Sequence, residues 1–477
     1  MTPETSPPRR HRSGWARFVL LTLFLLGPSL CAAGDRLNVL MIVIDDLRPE
    51  LHTYGIDAVS TPNIDAFARR GVRFNNAYCQ YPVCNPSRSS FLTGKRPDEL
   101  GIYNNETPLR QAHPELVTLP QAFRRAGYHT TGLGKLFHKG LDEKGKPTLF
   151  RDDASFDHAY RALGKSPAIG REGEGRFAGD GSIPWCRWIA AEGGDEAQPD
   201  GMLASEALRL LESAGEEPFF LGVGFHKPHD PFIAPREYFE PYKIGEIALP
   251  QAPSDRTPLS RYALPRSYDF SIFTDRDRRE IKRAYQACVT FVDAQVGKLL
   301  DCLDRRRLWD DTIVIVMGDH GYHLGEHGWW NKVTVFELGA RTPMIAWVPG
   351  AGGMGKDSDA VVELLDLYPT LIDYCGVEAP HRLSGKSLRP LLEGADTGAG
   401  PQAAYTQVTR GGIGMGFSVR TERYRFTQWG RAGEGGFELY EHPADPDEYH
   451  NLADDPAYAR QIEELTTLLR AGFPSVN

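Results

Sequence analysis

Leu37-Asn38-Val39-Leu40-Met41-Ile42-Val43-Ile44-Asp45-Asp46 decides the fold class, because an apolar run without polar alternation stops abruptly at two adjacent acids. A strand wet on one face alternates apolar and polar residues, whereas a strand covered on both faces does not, so this run predicts a buried strand of a parallel sheet. The pattern returns at Thr312-Ile313-Val314-Ile315-Val316-Met317, which ends in Gly318-Asp319-His320-Gly321. Pro218-Phe219-Phe220-Leu221-Gly222-Val223-Gly224 reads as another buried strand. Ligands of open α/β sheets sit beyond the carboxyl ends of the strands, so Asp45, Asp46 and Asp319 are expected to converge on one site.

Between these strands, residues 63–70, 119–126, 200–214 and 278–304 carry helical periodicity. Strands alternating with helices indicate a layered α/β domain, with a mixed, mostly parallel central sheet flanked by helices. The stretch 142–198, rich in Gly, Asp and Pro, reads as a long irregular excursion near the mouth of the site. Glu393 to Gly400 reads as a linker. After it, Phe417-Ser418-Val419-Arg420 and Tyr424-Arg425-Phe426-Thr427 alternate as antiparallel strands, and 461–469 closes the chain as a helix. The expected division is a secretion signal at 1–34, a large domain at 35–395 and a smaller C-terminal α+β domain at 400–477.

With 477 residues, 41% hydrophobic and 25% charged, the chain is an ordinary globular protein with room for one large core and one smaller core. Its formal charge of -9 argues against a nucleic-acid partner, which would need a basic face. Arg9, Arg10, Arg12 and Arg17 precede an apolar run from Phe18 to Leu26 and small residues around Ala32-Ala33-Gly34, the pattern of a cleavable secretion signal. That run is shorter than the ~20 residues that span a bilayer, so no stable membrane insertion is expected. The implied compartment is secreted, periplasmic or lysosomal in type. Cys79, Cys84, Cys186, Cys288, Cys302 and Cys375 lack the short repeated spacing of zinc sites and do not form a dense disulfide framework.

The most informative stretch is Val83-Cys84-Asn85-Pro86-Ser87-Arg88, followed by Leu92-Thr93-Gly94-Lys95-Arg96-Pro97. It resembles the Cys-x-Pro-Ser-Arg and Leu-Thr-Gly signature of type I, formylglycine-dependent sulfatases. Gly134-Lys135-Leu136-Phe137-His138, Phe225-His226-Lys227-Pro228-His229, Asp319-His320-Gly321 and Lys332 follow in the family's order, so that the likeness runs over nearly the whole chain after residue 34. Within the family it lies nearest the subgroup that acts on 2-O-sulfated uronates, although the chain is shorter and 99–105 differs. The resemblance implies an alkaline-phosphatase-like large domain and hydrolysis of O-sulfate esters on glycosaminoglycan oligosaccharides. It implies that a maturation enzyme oxidises Cys84 to formylglycine, whose hydrate offers one hydroxyl to attack sulfur and a second to expel the product. It further implies that Lys135, His138, His229 and Lys332 surround the sulfate, that Arg88 supports the formylglycine, and that Asp45, Asp46, Asp319, His320 and the modified Cys84 bind one calcium ion.

The residues themselves are compatible with that chemistry. Hard carboxylate oxygens suit calcium or magnesium, and the nitrogen of His320 also admits zinc or manganese. Cations stabilise charge developing on a transferring group, and a histidine or lysine can protonate the departing oxygen. Taken singly, each residue has a plainer role: Cys84 as a small buried residue before a Pro-Ser turn, Asp45-Asp46 as helix caps, each Lys or His as a solvated side chain. His323 and His327 are expected to shape their loop. Two other functions share these features: a phosphatase or phosphonate monoester hydrolase on the same scaffold, and a secreted glycan-binding protein without chemistry.

Overall fold

The computed structural model describes residues 36–142, 144–162, 166–396 and 403–476, together with Met1, Pro3 and Gly398. The secretion signal expected at 1–34 and most of the linker around 397–402 lie outside the described residues. The large α/β sheet has eight strands in the order Asp357–Glu363, Val72–Tyr78, Arg341–Trp347, Thr312–Gly318, Asn38–Ile44, Phe219–Phe225, His129–Gly134, His158–Tyr160. Arg341–Trp347 runs against its two neighbours and all other pairs are parallel, so the sheet is mixed and mostly parallel as expected.

Successive side chains of a strand point to opposite faces, and here both faces are covered. Leu40, Ile42, Ile44, Val314 and Val316 pack with helices Pro62–Arg70, Pro199–Glu212 and Asp275–Arg306. Val39, Met41, Val43, Ile313, Ile315 and Met317 pack with helices Cys84–Thr93, Leu119–Arg125 and Leu367–Cys375. The unbroken apolar runs follow directly from this double burial. A separate four-stranded antiparallel sheet, Ala404–Arg410, Gly414–Arg420, Tyr424–Trp429 and Phe437–Glu441, buries Phe417, Val419, Phe426 and Leu439 against Leu465, Leu469 and Phe473 at the closing helix Ala459–Gly472.

The excursion at 142–198 departs from the irregular chain expected there. His158–Tyr160 extends the main sheet, while Gly173–Phe177 and Arg187–Ala191 join Phe232–Pro235 in a three-stranded sheet. The hairpin escapes a periodicity reading because its inner positions are glycines: a Cβ at Gly173 or Gly175 would lie 2.6 or 2.2 Å from a carbonyl oxygen of the opposing strand. Close backbone approach removes the side chains on which alternation depends.

Candidate active site

Strand register assembles the site. Ile44 pairs with Gly318 on one side and Phe225 on the other, and Gly134 pairs with Gly224. Asp45, Asp319, His226 and Lys135, each the next residue after these strands, therefore emerge at one carboxyl edge. Asp46 takes a left-handed conformation, φ 61°. That bend is fixed from both sides: its N–H donates to Asp319 Oδ1 at 3.0 Å, and its carbonyl accepts the Tyr285 hydroxyl of the long helix at 2.8 Å. Strain of this kind persists only where the surroundings over-determine it.

Cys84 opens the helix Cys84–Thr93, whose ten residues are all buried. Ser87 Oγ donates to the Asp319 carbonyl at 2.5 Å, and Asn85 is clamped by its N–H to Asn105 Oδ1 at 3.0 Å and by its side-chain amide to the carbonyls of Asn104 and Thr107. The segment 99–105 is thus tied to the residue after Cys84. Gly94, at φ 64°, closes the helix in the left-handed region that glycine permits.

Around Cys84 Sγ stand Lys332 Nζ at 3.2 Å, His320 Nε2 at 3.4 Å and Lys135 Nζ at 3.5 Å, with Asp46 Oδ1 at 3.9 Å. Burial alone would raise the thiol's pKa; Lys135 and Lys332 overcome it and hold the thiol well below its ordinary value. Arg88, fully buried, donates to Asp319 Oδ2 at 2.9 Å and Asp45 Oδ1 at 3.0 Å, and its other nitrogen meets the Lys135 and Leu136 carbonyls. Lys135 Nζ bonds Asp45 Oδ2, and Lys332 Nζ reaches Asp46 Oδ1 at 2.5 Å. Burial disfavours the charge on Asp45, yet Lys135, His229 and Arg88 hold it below the usual carboxylate range. His229 Nε2 lies 3.8 Å from Asp46 Oδ2; burial opposes its charge, but Asp46 lifts the imidazole to about 9. His138, by contrast, is lowered by burial.

Ligand-type atoms of Asp45, Cys84, Asp319 and His320 form one group that could hold a metal ion, and Asp45, Asp46, Cys84 and His229 form an overlapping one. The residues fit a divalent cation: three carboxylates converge, and Asp46 Oδ2 is buried with no hydrogen-bond partner among the described residues. A buried oxygen without a hydrogen-bond donor is costly, and the His229 imidazole 3.8 Å away stands outside hydrogen-bond reach, so a bound cation would satisfy it directly. A third group, Glu337, His442 and Glu448, is bound instead by Arg420 and Arg425.

Every residue expected at the site from the sequence comes to this edge. His323 and His327 do not: His323 Nε2 bonds Thr334 Oγ at 2.6 Å, and His327 stacks on Phe336 with ring centroids 4.3 Å apart. Lys227 Nζ is occupied by the His229 and Pro231 carbonyls, and Asp200 accepts the backbone N–H groups of His226 and Lys227, so both shape the turn that carries His229. Sequence reading overlooked Tyr285, Asn105 and Asp200. Of these, only Asn105 fell in a segment that the sequence reading had set apart, 99–105.

The small sheet braces Lys332. Val333 donates to the Pro82 carbonyl at 3.1 Å, and its own carbonyl accepts Arg410 Nη2 at 2.6 Å. All the free cysteines, Cys79, Cys84, Cys186, Cys288, Cys302 and Cys375, are unpaired thiols among the described residues.

Fold and site define a layered α/β protein of alkaline-phosphatase-like architecture with a buried thiol at the carboxyl edge of its main sheet. The sulfatase family model matches residues 37–377, and the model for the C-terminal part of N-sulphoglucosamine sulphohydrolase matches 325–472. The chain is 31% identical to iduronate 2-sulfatase of Mus musculus over 98% of this chain and 100% of that one. It is 31% identical to a sulfatase of Formosa agariphila, over 91% of this chain and 86% of that one. Among solved structures, the phosphonate monoester hydrolase of Agrobacterium radiobacter superposes with a TM-score of 0.76 at 23% identity, covering 93% of this chain and 96% of that one. A 2-O GAG sulfatase gives 0.67 at 24% identity, covering 92% of each. Identities this low speak to the fold alone. The chain belongs to the sulfatase family and is a sulfuric ester hydrolase.

Proposed function

We propose that the protein removes 2-O-sulfate from uronate residues of glycosaminoglycan oligosaccharides, using a formylglycine hydrate made from Cys84 by a maturation enzyme. The carrying observation is the Cys84 Sγ, buried at a helix start and ringed by Lys332, His320 and Lys135 within 3.5 Å. An anionic oxygen on the same carbon would meet the same positive ring. In this reading Lys135, His138, His229 and Lys332 surround the sulfate, and a histidine or lysine among them protonates the leaving oxygen. Arg88 holds Asp45 and Asp319 in place behind the nucleophile.

Asp45, Asp46, Asp319, His320 and the modified Cys84 would hold one calcium ion. When bound there, it would supply Lewis-acid polarisation of the sulfate and would favour the ionised hydrate. The two-iron-like or two-zinc-like arrangement of many phosphatases would need a second acidic cluster at the site, and among the described residues the remaining group sits at the arginine-bound Glu337. The likeness to iduronate 2-sulfatase supports the uronate assignment. We place the catalytic unit at 35–395 and the smaller unit at 400–477, with export directed by 1–34; among the described residues no helix is long and apolar enough to cross a membrane.

The test is sulfate release from an aryl sulfate and a 2-O-sulfated uronate disaccharide by enzyme co-expressed with a maturation enzyme. Wild type should release sulfate from both, and Cys84→Ala should fold normally and release none. Activity of Cys84→Ala within tenfold of wild type would sink the mechanism; release from the aryl ester alone would remove the uronate assignment.

A further inference from the structure

A cavity of about 340 Å³ opens beside the cluster, with Lys135, His138 and His229 at one end and Phe150, His226 and Ile233 in its walls. That volume lies near the lower end of the ~300–1,000 Å³ typical of small-molecule sites, enough for one ring beside the sulfate. Another cavity, lined by His129, Leu210 and Phe219, lies at the opposite end of the strands, remote from Cys84.

Phe150 is the wall residue whose conformation calls for explanation. Its φ is 63°, a genuine outlier for a bulky side chain. Its N–H donates to the His138 carbonyl at 3.2 Å, which ties the bend to a residue of the cluster. The half-buried ring meets His226 edge-on at 4.8 Å and His138 at 6.2 Å between centroids, and Lys135 Nζ stands 5.6 Å from its centre. His138 Nδ1 is buried without a hydrogen-bond partner among the described residues, whereas His226 Nδ1 faces Asp200 Oδ1 at 3.6 Å. One cavity therefore offers an aromatic platform and, at His138, an unsatisfied imidazole nitrogen next to the groups that would receive the sulfate.

We infer that Phe150 is a specificity-determining residue: it is the platform for the apolar face of the sugar ring that bears the ester, while the His138 imidazole meets a hydroxyl of that ring. This rests on the sulfatase reading above. A pyranose presents C–H groups on one face, which the negative face of an aromatic ring attracts, and hydroxyls at its rim, which need polar partners when buried. A ring-free alkyl sulfate would draw on the cations and not on Phe150.

Steady-state kinetics of the matured full-length enzyme test this, with wild type, Phe150→Ala and Phe150→Tyr acting on a 2-O-sulfated uronate disaccharide and on ethyl sulfate, and with inorganic sulfate as inhibitor. Phe150→Ala should raise KM for the disaccharide about tenfold, the scale of one good aromatic contact. It should leave kcat, its pH profile, ethyl sulfate turnover and inhibition by sulfate unchanged, and Phe150→Tyr should restore KM. An unchanged disaccharide KM would overturn the inference, as would parallel losses on both esters with weaker sulfate inhibition, which would make Phe150 a prop for His138 and Lys135. Wild type that hydrolyses neither ester would instead count against the sulfatase reading.

Discussion

Replacing Arg425 with Met should uncouple the small sheet from the segment that carries Lys332. Arg425 is buried, donating to Glu448 Oε1 at 2.6 Å and to Glu337 Oε2 at 2.5 Å, while Arg420 reaches Glu337 at 3.2 Å and His442 reaches Glu448 at 2.9 Å. Tyr78 adds a hydroxyl to Glu337 at 2.8 Å. Removing one partner from a buried ionic group leaves charge uncompensated and costs about 3–5 kcal/mol. Methionine keeps much of the side-chain volume, so the packing term is small. Urea unfolding followed by tryptophan fluorescence, with Trp429 buried in the same sheet, should show that loss. The arginines and His442 hold Glu337 well below its ordinary 4.5, against burial, and Glu448 is lowered mainly by Arg425, also against burial. Carboxyls depressed in the folded state contribute stability above the unfolded pKa and lose it as pH falls through the folded one. The gap between wild type and Arg425→Met should therefore be full near neutrality and narrow below about pH 4.5. A loss under about 1 kcal/mol at neutral pH, or a gap that widens in acid, would refute this account of the network.

Asp45→Asn should lose bound metal and activity together, measured by metal analysis and sulfate release, because Asp45 faces Arg88, Lys135 and the proposed ion at once; a metal-loaded, fully active variant would contradict the assignment. His323 is buried, and desolvation lowers it from 6.5 to about 3. The unfolded chain takes up that proton first, so acidification from 6.5 toward 3 should remove up to about 4 kcal/mol of stability, a slope that His323→Gln should lack. Equal slopes in the two proteins would show that His323 is not the titrating group.

Much of this molecule was legible in its sequence, for reasons that can be stated residue by residue. Strands buried on both faces leave unbroken apolar runs, and Asp45 and Asp319 end two of them, so their meeting followed from the rule that sites lie at carboxyl edges. The helix Cys84–Thr93 was hidden for the opposite reason: all of its residues are buried, with Asn85, Ser87 and Arg88 in hydrogen bonds within the site, so no solvent face alternates with an apolar one and helical periodicity vanishes. The glycine-rich hairpin at 173–191 was hidden by close backbone contact. Tyr285 and Asn105 act through long-range hydrogen bonds, Tyr285 with the backbone of Asp46 and Arg48 and Asn105 with Asn85, which leave no pattern in either segment. Phe150 lies where periodicity was weakest, and its left-handed backbone and its contacts with His226, His138 and Lys135 distinguish it.

Peptide mass spectrometry across Cys84, on protein purified from its native host, tests the central claim most directly. The account predicts a peptide carrying an aldehyde in place of the thiol, in protein that releases sulfate from the uronate disaccharide. An intact thiol at Cys84 in native protein that still hydrolyses the ester would contradict it.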